Sequence, residues 1–183
     1  MKFEELNLKP EIVKALKEMN IVEPTLIQEK SIPIIIEGKD LIGMSKTGSG
    51  KTAAFSIPLL EKMIPGKGLQ AAIIVPTREL AVQISNELFK FGKYLHFRVA
   101  TVYGGVSLNP QIEEMARADI LVGTPGRIID HLYRGTLNLS KVNYLVLDEA
   151  DKMVEMGFIE DVERIVQCTS KQRQILLFGA TLS

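Results

Sequence analysis

The chain has 183 residues, 46% apolar and 24% charged, enough for one domain with a proper core and unlike a disordered or fibrous protein. Its 22 basic and 22 acidic side chains cancel, so no global basic field attracts nucleic acid and any such binding needs a local patch. The lone Cys168 excludes an internal disulfide, Met1-Lys-Phe-Glu-Glu5 has no signal-peptide pattern, and no apolar run is long enough to span a bilayer, so a cytoplasmic protein without a membrane partner is expected.

In chain order, Pro10 and the spacing of Ile12, Val13, Leu16 and Met19 predict an amphipathic helix over 10–19. Thr25 and Gln28 have the spacing of a capping box for a second helix that carries 32–36 and stops near Gly38. Apolar runs at about 41–44, 71–75, 98–103, 119–123, 143–148 and 174–178 read as strands. Helical patterns fall near 52–64, 78–94, 108–116, 125–134, from 150 onward and at 158–167. Strands apolar throughout are buried on both faces, which predicts an α/β fold with a mostly parallel sheet and helices on both faces. Lys62 to Lys67 reads as a solvated turn, and His96, His131 and Cys168 have no metal-ligand spacing.

In such sheets ligands sit at the carboxyl ends of the strands. The polar clusters of the sequence fall there: 48–52, Pro76-Thr77-Arg78, Gly104-Gly105, Thr124-Pro125-Gly126-Arg127, Asp148-Glu149 and Gly179-Ala180-Thr181. In the first, Ser45-Lys46-Thr47-Gly48-Ser49-Gly50-Lys51-Thr52 joins a strand to a helix start. Small residues there let successive backbone N–H groups converge on a phosphate, with Lys51 reaching the β/γ-phosphates and the Thr52 hydroxyl ligating Mg²⁺. Ser45 stands where the strict phosphate-loop pattern has glycine. Asp148, at the tip of an apolar strand, is placed to hold a nucleotide-bound Mg²⁺, through water. Glu149 is the candidate general base for an attacking water; acids that suit a helix dipole are the plainer alternative for this pair.

The glycine loop, Pro76-Thr-Arg-Glu-Leu-Ala81, Gly104-Gly105, Thr124-Pro-Gly-Arg127, Asp148-Glu-Ala-Asp151 and Gly179-Ala-Thr181 stand in the order found in DEAD-box RNA helicases of superfamily 2, which the chain resembles from Phe3 to its end. The resemblance implies the first of two RecA-like domains, with 1–38 forming helices that carry the glutamine motif and 39–183 the ATP-binding core. It implies ATP and Mg²⁺ as cofactors and catalytic roles for Lys51, Asp148 and Glu149. The strand that ends at Gly179 is expected between the glycine-loop strand and the Asp148 strand. Gln28 is expected to read the adenine edge as well as, or instead of, capping its helix. Phe3 is open to an ATP-binding or a packing role. Pro76, Thr77, Arg78, Gly104, Gly105, Thr124, Pro125, Gly126 and Arg127 are expected to line a path for a single RNA strand, with surface ion pairing the alternative for the two arginines. Asp151, Gly179, Ala180 and Thr181 are expected to couple nucleotide to RNA. Met153, Gly157 and Phe158 also match the residues usual in the family just after the acidic motif.

Departures from the family pattern are Asn20 and Ile21 for glycine and an aromatic, Leu26 for proline, Ser45 and Lys46 for alanine and glutamine, and Gly179 for serine. Ile21 implies weak adenine affinity, and Gly179 implies weakened coupling, since glycine has no hydroxyl for the acidic motif. Nothing in the sequence resembles the second RecA-like domain with its arginine finger, so the chain is expected to act as half of an ATP-dependent RNA helicase, binding nucleotide but hydrolysing little alone. A nucleotide-gated RNA clamp and a DNA helicase or other phosphate-loop ATPase are the competing readings.

Overall fold

Residues 1–46 and 50–180 are described by the structure, a computed structural model. A 3-10 turn at Phe3–Leu6 is followed by α1 (Pro10–Glu18), α2 (Leu26–Ile36), β1 (Leu41–Met44), α3 (Lys51–Lys62), β2 (Ala71–Ile74) and α4 (Arg78–Phe91). Then come β3 (Val99–Val102), α5 (Leu108–Arg117), β4 (Ile120–Gly123), α6 (Pro125–Tyr133), β5 (Tyr144–Leu147), α7 (Ala150–Glu155), α8 (Ile159–Cys168) and β6 (Gln174–Gly179). The opening turn has no counterpart among the predicted elements; elsewhere the boundaries move by a few residues. Helix α4, for example, ends before 94 because Gly92 caps it with φ −99° and ψ 25°, outside helical geometry.

The strands form one sheet in the order β1-β6-β5-β2-β4-β3, and every pairing is parallel. Strand β6 lies between β1 and β5, as the resemblance implied. Met44 is level with Gly179, and Ile74 with both Leu147 and Gly123, so the carboxyl ends share one edge.

Helices α1 to α4 cover one face through Ile12, Leu16, Ile32, Phe55, Leu60, Ile84 and Leu88, packed on Ile73, Val146 and Phe178. The other face buries Ala72, Ile74 and Leu145 under Met115, Ile128, Met153 and Ile165. Large side chains buried this fully contribute about 1.5–3 kcal/mol each. Strands β2, β4 and β5 are buried at every position, as their unbroken apolar runs predict. Edge strand β3 alternates, and Ile42 on edge strand β1 is 72% exposed.

One expectation is corrected. Lys62 is not part of a solvated turn: it closes α3, and its Nζ donates to Ile35 O at 2.8 Å and Gln174 Oε1 at 2.9 Å. The ammonium therefore closes the end of α2, which left-handed Gly38 follows.

Candidate functional site

At the carboxyl edge of the sheet a cleft of about 430 Å³ is lined by Met19, Ile21, Gln28, Gly50, Lys51, Thr52, Gln83, Asp148 and Glu149, among others. Gly50 caps α3 with φ 90°, a conformation glycine adopts without steric cost. A Cβ there would run into Gln28 Nε2 and come within 2.8 Å of Thr25 Oγ1. Gln28 is buried with both ends engaged: its Oε1 accepts the Thr25 N–H at 3.0 Å, completing the capping box of α2, and its Nε2 donates to Gly50 O at 3.0 Å. One side chain thus ties the start of α2 to the start of α3. Each of its polar atoms keeps a further hydrogen-bonding position, so capping does not exclude contact with a base.

Lys51 Nζ pairs with Asp148 Oδ1 at 3.0 Å, the two side chains 11% and 1% exposed. The Asp148 N–H donates to Ile74 O at 3.0 Å, which continues the ladder past the end of β5, and Oδ1 also accepts the Glu149 N–H at 3.0 Å. Burial pushes the Asp148 carboxyl above the ordinary carboxylate value, and the Lys51 ammonium opposes that rise. Asp148 Oδ2 is buried and has no partner among the described residues. A buried, unpartnered carboxylate oxygen suits a hard cation. Among the described residues no group of three or more His, Cys, Asp or Glu could hold a metal. Glu149 comes next with φ 52° and ψ 47°, a left-handed conformation that is strained for a side chain bearing a Cβ and recurs at functional sites.

A second, open groove of about 360 Å³ gathers Pro76, Arg78, Gly104, Thr124, Gly126 and Arg127 together with Tyr103. The Arg78 guanidinium lies 4.6 Å over the Tyr103 ring. Arg127 donates from Nη1 to Gln111 Oε1 at 3.1 Å and from Nη2 to Val106 O at 3.0 Å. Neither arginine is in an ion pair among the described residues. Thr77 caps α4, its Oγ1 accepting the Leu80 N–H at 3.2 Å. Pro125 is buried at the first turn of α6, and Gly105 turns the chain with φ 84°.

Beneath Arg127 lies a network that sequence reasoning missed. Gln111 Nε2 donates to Tyr103 O at 2.9 Å, which orients its amide so that Oε1 receives both Arg127 and, at 2.8 Å, His131 Nε2. His131 Nε2 therefore carries a proton toward Gln111, while Nδ1 lies 2.8 Å from Thr136 Oγ1, whose hydroxyl also reaches His131 O at 3.1 Å. Burial first, and then the Arg127 charge, hold the imidazole below its ordinary value of 6.5. Each link spans a loop, so no local pattern announced it.

At the end of β6, the Ser45 N–H donates to Gly179 O at 3.1 Å, and the Ala180 N–H to Asp151 Oδ2 at 3.3 Å. Gly179 has no hydroxyl, yet the strand still reaches the acidic motif through backbone. A Cβ on Gly179 would meet Asp151 Oδ1 at 3.2 Å, close enough to require a small shift. Phe3 is buried in the core at 2% exposure; its N–H bonds Val22 O at 3.3 Å, next to the Ile21 that lines the cleft. Lys46 is exposed. Thr47, Gly48, Ser49 and Thr181 lie outside the described residues.

A parallel sheet in this strand order, with a strand–glycine–helix junction and an acidic strand tip sharing one cleft, defines a RecA-like α/β domain. Residues 25–183 match the family model described as DEAD/DEAH box helicase, and the chain belongs to that family. It is 50% identical to the DEAD-box ATP-dependent RNA helicase CshA of Geobacillus kaustophilus, over 98% of the chain and 39% of that protein. It is 46% identical to a probable ATP-dependent RNA helicase of Methanocaldococcus jannaschii, over 100% of the chain and 50% of that protein. Among solved structures, the crystal structure of a DEAD box protein from the hyperthermophile Methanococcus jannaschii superposes with a TM-score of 0.98 at 46% identity. It is covered over 51% of its length, and the present chain over 100%. A hypothetical ATP-dependent RNA helicase from Sulfolobus tokodaii gives a TM-score of 0.88 at 41% identity, over 95% of this chain and 51% of that one. The chain thus spans half or less of the length of these curated relatives. No helix among the described residues is long and apolar enough to cross a membrane.

Proposed function

We propose that this chain is the ATP-binding half of an ATP-dependent RNA helicase, and that a second RecA-like domain completes it. The observation that carries the reading is the cleft in which Lys51, Thr52, Gln28, Asp148 and Glu149 meet. Lys51 would release Asp148 and hold the β/γ-phosphates of ATP, while backbone N–H groups of the glycine loop and the start of α3 receive the remaining phosphate charge. Asp148 and Thr52 would hold Mg²⁺, which when bound neutralises charge on the transferring phosphoryl group. Glu149 would orient the attacking water and take its proton. Gln28 would read adenine from its capped position, with Ile21 offering aliphatic contact in place of a stacking ring.

The Arg78 and Arg127 groove would follow the sugar-phosphate backbone of one RNA strand without reading bases, and Asp151 with Gly179, Ala180 and Thr181 would relay nucleotide state to it. Closure of the second domain would supply the arginine finger, worth about 10³–10⁵ in rate in related phosphoryl transfers, so this half alone would turn over slowly. The cytoplasm is the compartment proposed, where a lone thiol such as Cys168 stays reduced. The test is titration of the chain with fluorescent ADP and Mg²⁺, competed with unlabelled ADP and GDP. Competition by ADP alone supports an adenine-selective cleft; equal competition removes Gln28 as selector; absence of binding overturns the reading of the cleft.

A further inference from the structure

The opposite edge of the sheet, where β2, β5 and β6 begin, holds a second cavity of about 380 Å³ beneath the end of α3. Its polar lining includes Lys62, Gln70, Asn143, Gln172, Arg173 and Gln174, and no acidic side chain lines it. Two cations therefore share it without a counter-charge. Among the described residues the Lys62 ammonium is held by neutral oxygens, Ile35 O and Gln174 Oε1. Burial alone lowers its pKa, with no carboxylate acting in the other direction. Among the described residues Arg173 makes one side-chain hydrogen bond, from Nη1 to Ser170 O at 3.3 Å, and its Nε is buried without a hydrogen-bond partner.

A buried, unpartnered N–H is costly even on a half-buried guanidinium. Water could accept that hydrogen bond, but water cannot neutralise two positive charges. The volume falls in the range of small-molecule sites, and convergent polar groups of one sign select the ligand's charge. The side-chain amides of Asn143 and Gln172 add donors without adding negative charge, whereas those of Gln70 and Gln174 are spent on backbone carbonyls. Tyr144 also lines the cavity, but its hydroxyl is committed to Phe55 O at 2.7 Å.

We propose that this cavity, at the far end of the sheet from the nucleotide cleft, binds a small oxyanion, a phosphoryl or carboxylate group borne on a small molecule, held by Arg173 and Lys62. Arg173 is the primary ligand, because its fork matches oxyanion geometry and it carries little else of the fold.

The test is a ¹⁵N NMR titration of the chain with inorganic phosphate and, separately, with citrate. Saturable shifts are expected at the Arg173 Nε–H and at the Asn143 and Gln174 amides, apart from any at Gly50 and Lys51. A response to phosphate alone assigns a phosphoryl ligand and a response to citrate alone a carboxylate; either supports the site. Arg173→Gln should weaken binding about tenfold or more, the loss of one charge-assisted bond, with an unchanged melting midpoint. Were that variant to melt early, Arg173→Lys, which keeps the charge and removes the Nε donor, would take its place with the same direction expected. Failure of both anions to move these signals at up to roughly 10 mM, a range that reveals even weak binding, overturns the proposal. So does wild-type affinity in a folded Arg173 variant.

Discussion

Lys51 and Asp148 pair with each other, and on the proposed function each would stand in for the other's ligand until a nucleotide arrived. Replacing Lys51 with alanine would remove the proposed phosphate ligand and strand a buried carboxylate. Breaking one side of such a pair costs about 3–5 kcal/mol, so Lys51→Ala should melt earlier than wild type and bind ADP at least tenfold more weakly. Asp148→Asn in the same background should recover much of the melting loss without restoring affinity, which a pair of thermal melts and titrations would reveal. His131 contributes in another direction. Its folded-state pKa lies below the ordinary 6.5, so the unfolded chain takes up the proton first. The stability it contributes is full above pH 6.5 and is lost as pH falls through the depressed folded value. The melting midpoint of wild type should therefore fall towards that of His131→Gln on acidification, and a constant gap would contradict the assignment. Lys51, Asp148 and Gln28 stood out in the sequence because each lies in a local pattern of turn, cap or strand tip. Tyr103, Gln111, His131 and Lys62 did not, because what matters about them is a partner many residues away.

At the scale of elements, the start of α2 and the start of α3 are one mechanical unit through Gln28. Gln28→Ala gives up the bonds to Thr25 N and Gly50 O and should cost about 1–3 kcal/mol as well as nucleotide affinity. Gln28→Glu keeps the acceptor for Thr25 but loses the donor to Gly50, so it should retain more stability than alanine while losing preference for ADP over GDP. Melts and competition titrations on both variants separate cap from selector. At β6, the Ala180 N–H already reaches Asp151, and Gly179→Ser would add a hydroxyl after a small shift of that carboxylate. In a full-length protein this substitution should raise RNA-stimulated ATP turnover; an unchanged rate would mean that the backbone contact suffices. The parallel class of the sheet was legible because β2, β4 and β5 are apolar at every position. The seating of β6 between β1 and β5 was not readable from periodicity, which carries no strand order, and came only from the family likeness. Edge strands are harder still: β1, with one face bare, has the composition of a core strand and the exposure of a surface one.

Across the whole molecule, charges that sum to zero offer no global basic field, so the RNA contact proposed for this chain would rest on a few side chains at one groove. Two arginines neutralising two phosphates would give a slope of log affinity against log salt of about −1.4, from roughly −0.7 for each. RNA affinity measured across a salt series should be that shallow for this chain, and Arg127→Ala should halve the slope; a much steeper dependence would locate the interface elsewhere.

The seating of β6 also has a bearing on how the molecule comes into being. Strand β1, which leads into the glycine loop, pairs among the described residues with β6 alone, and the Ile175 N–H meets Asp40 Oδ1 across 135 residues. Loop closure on that scale must precede any gain from the pairing. During synthesis β1 should therefore wait, unpaired, until β6 has left the ribosome. ATP-binding competence should then be acquired late and all at once, with β1 and its exposed Ile42 the segment most in need of protection until that moment.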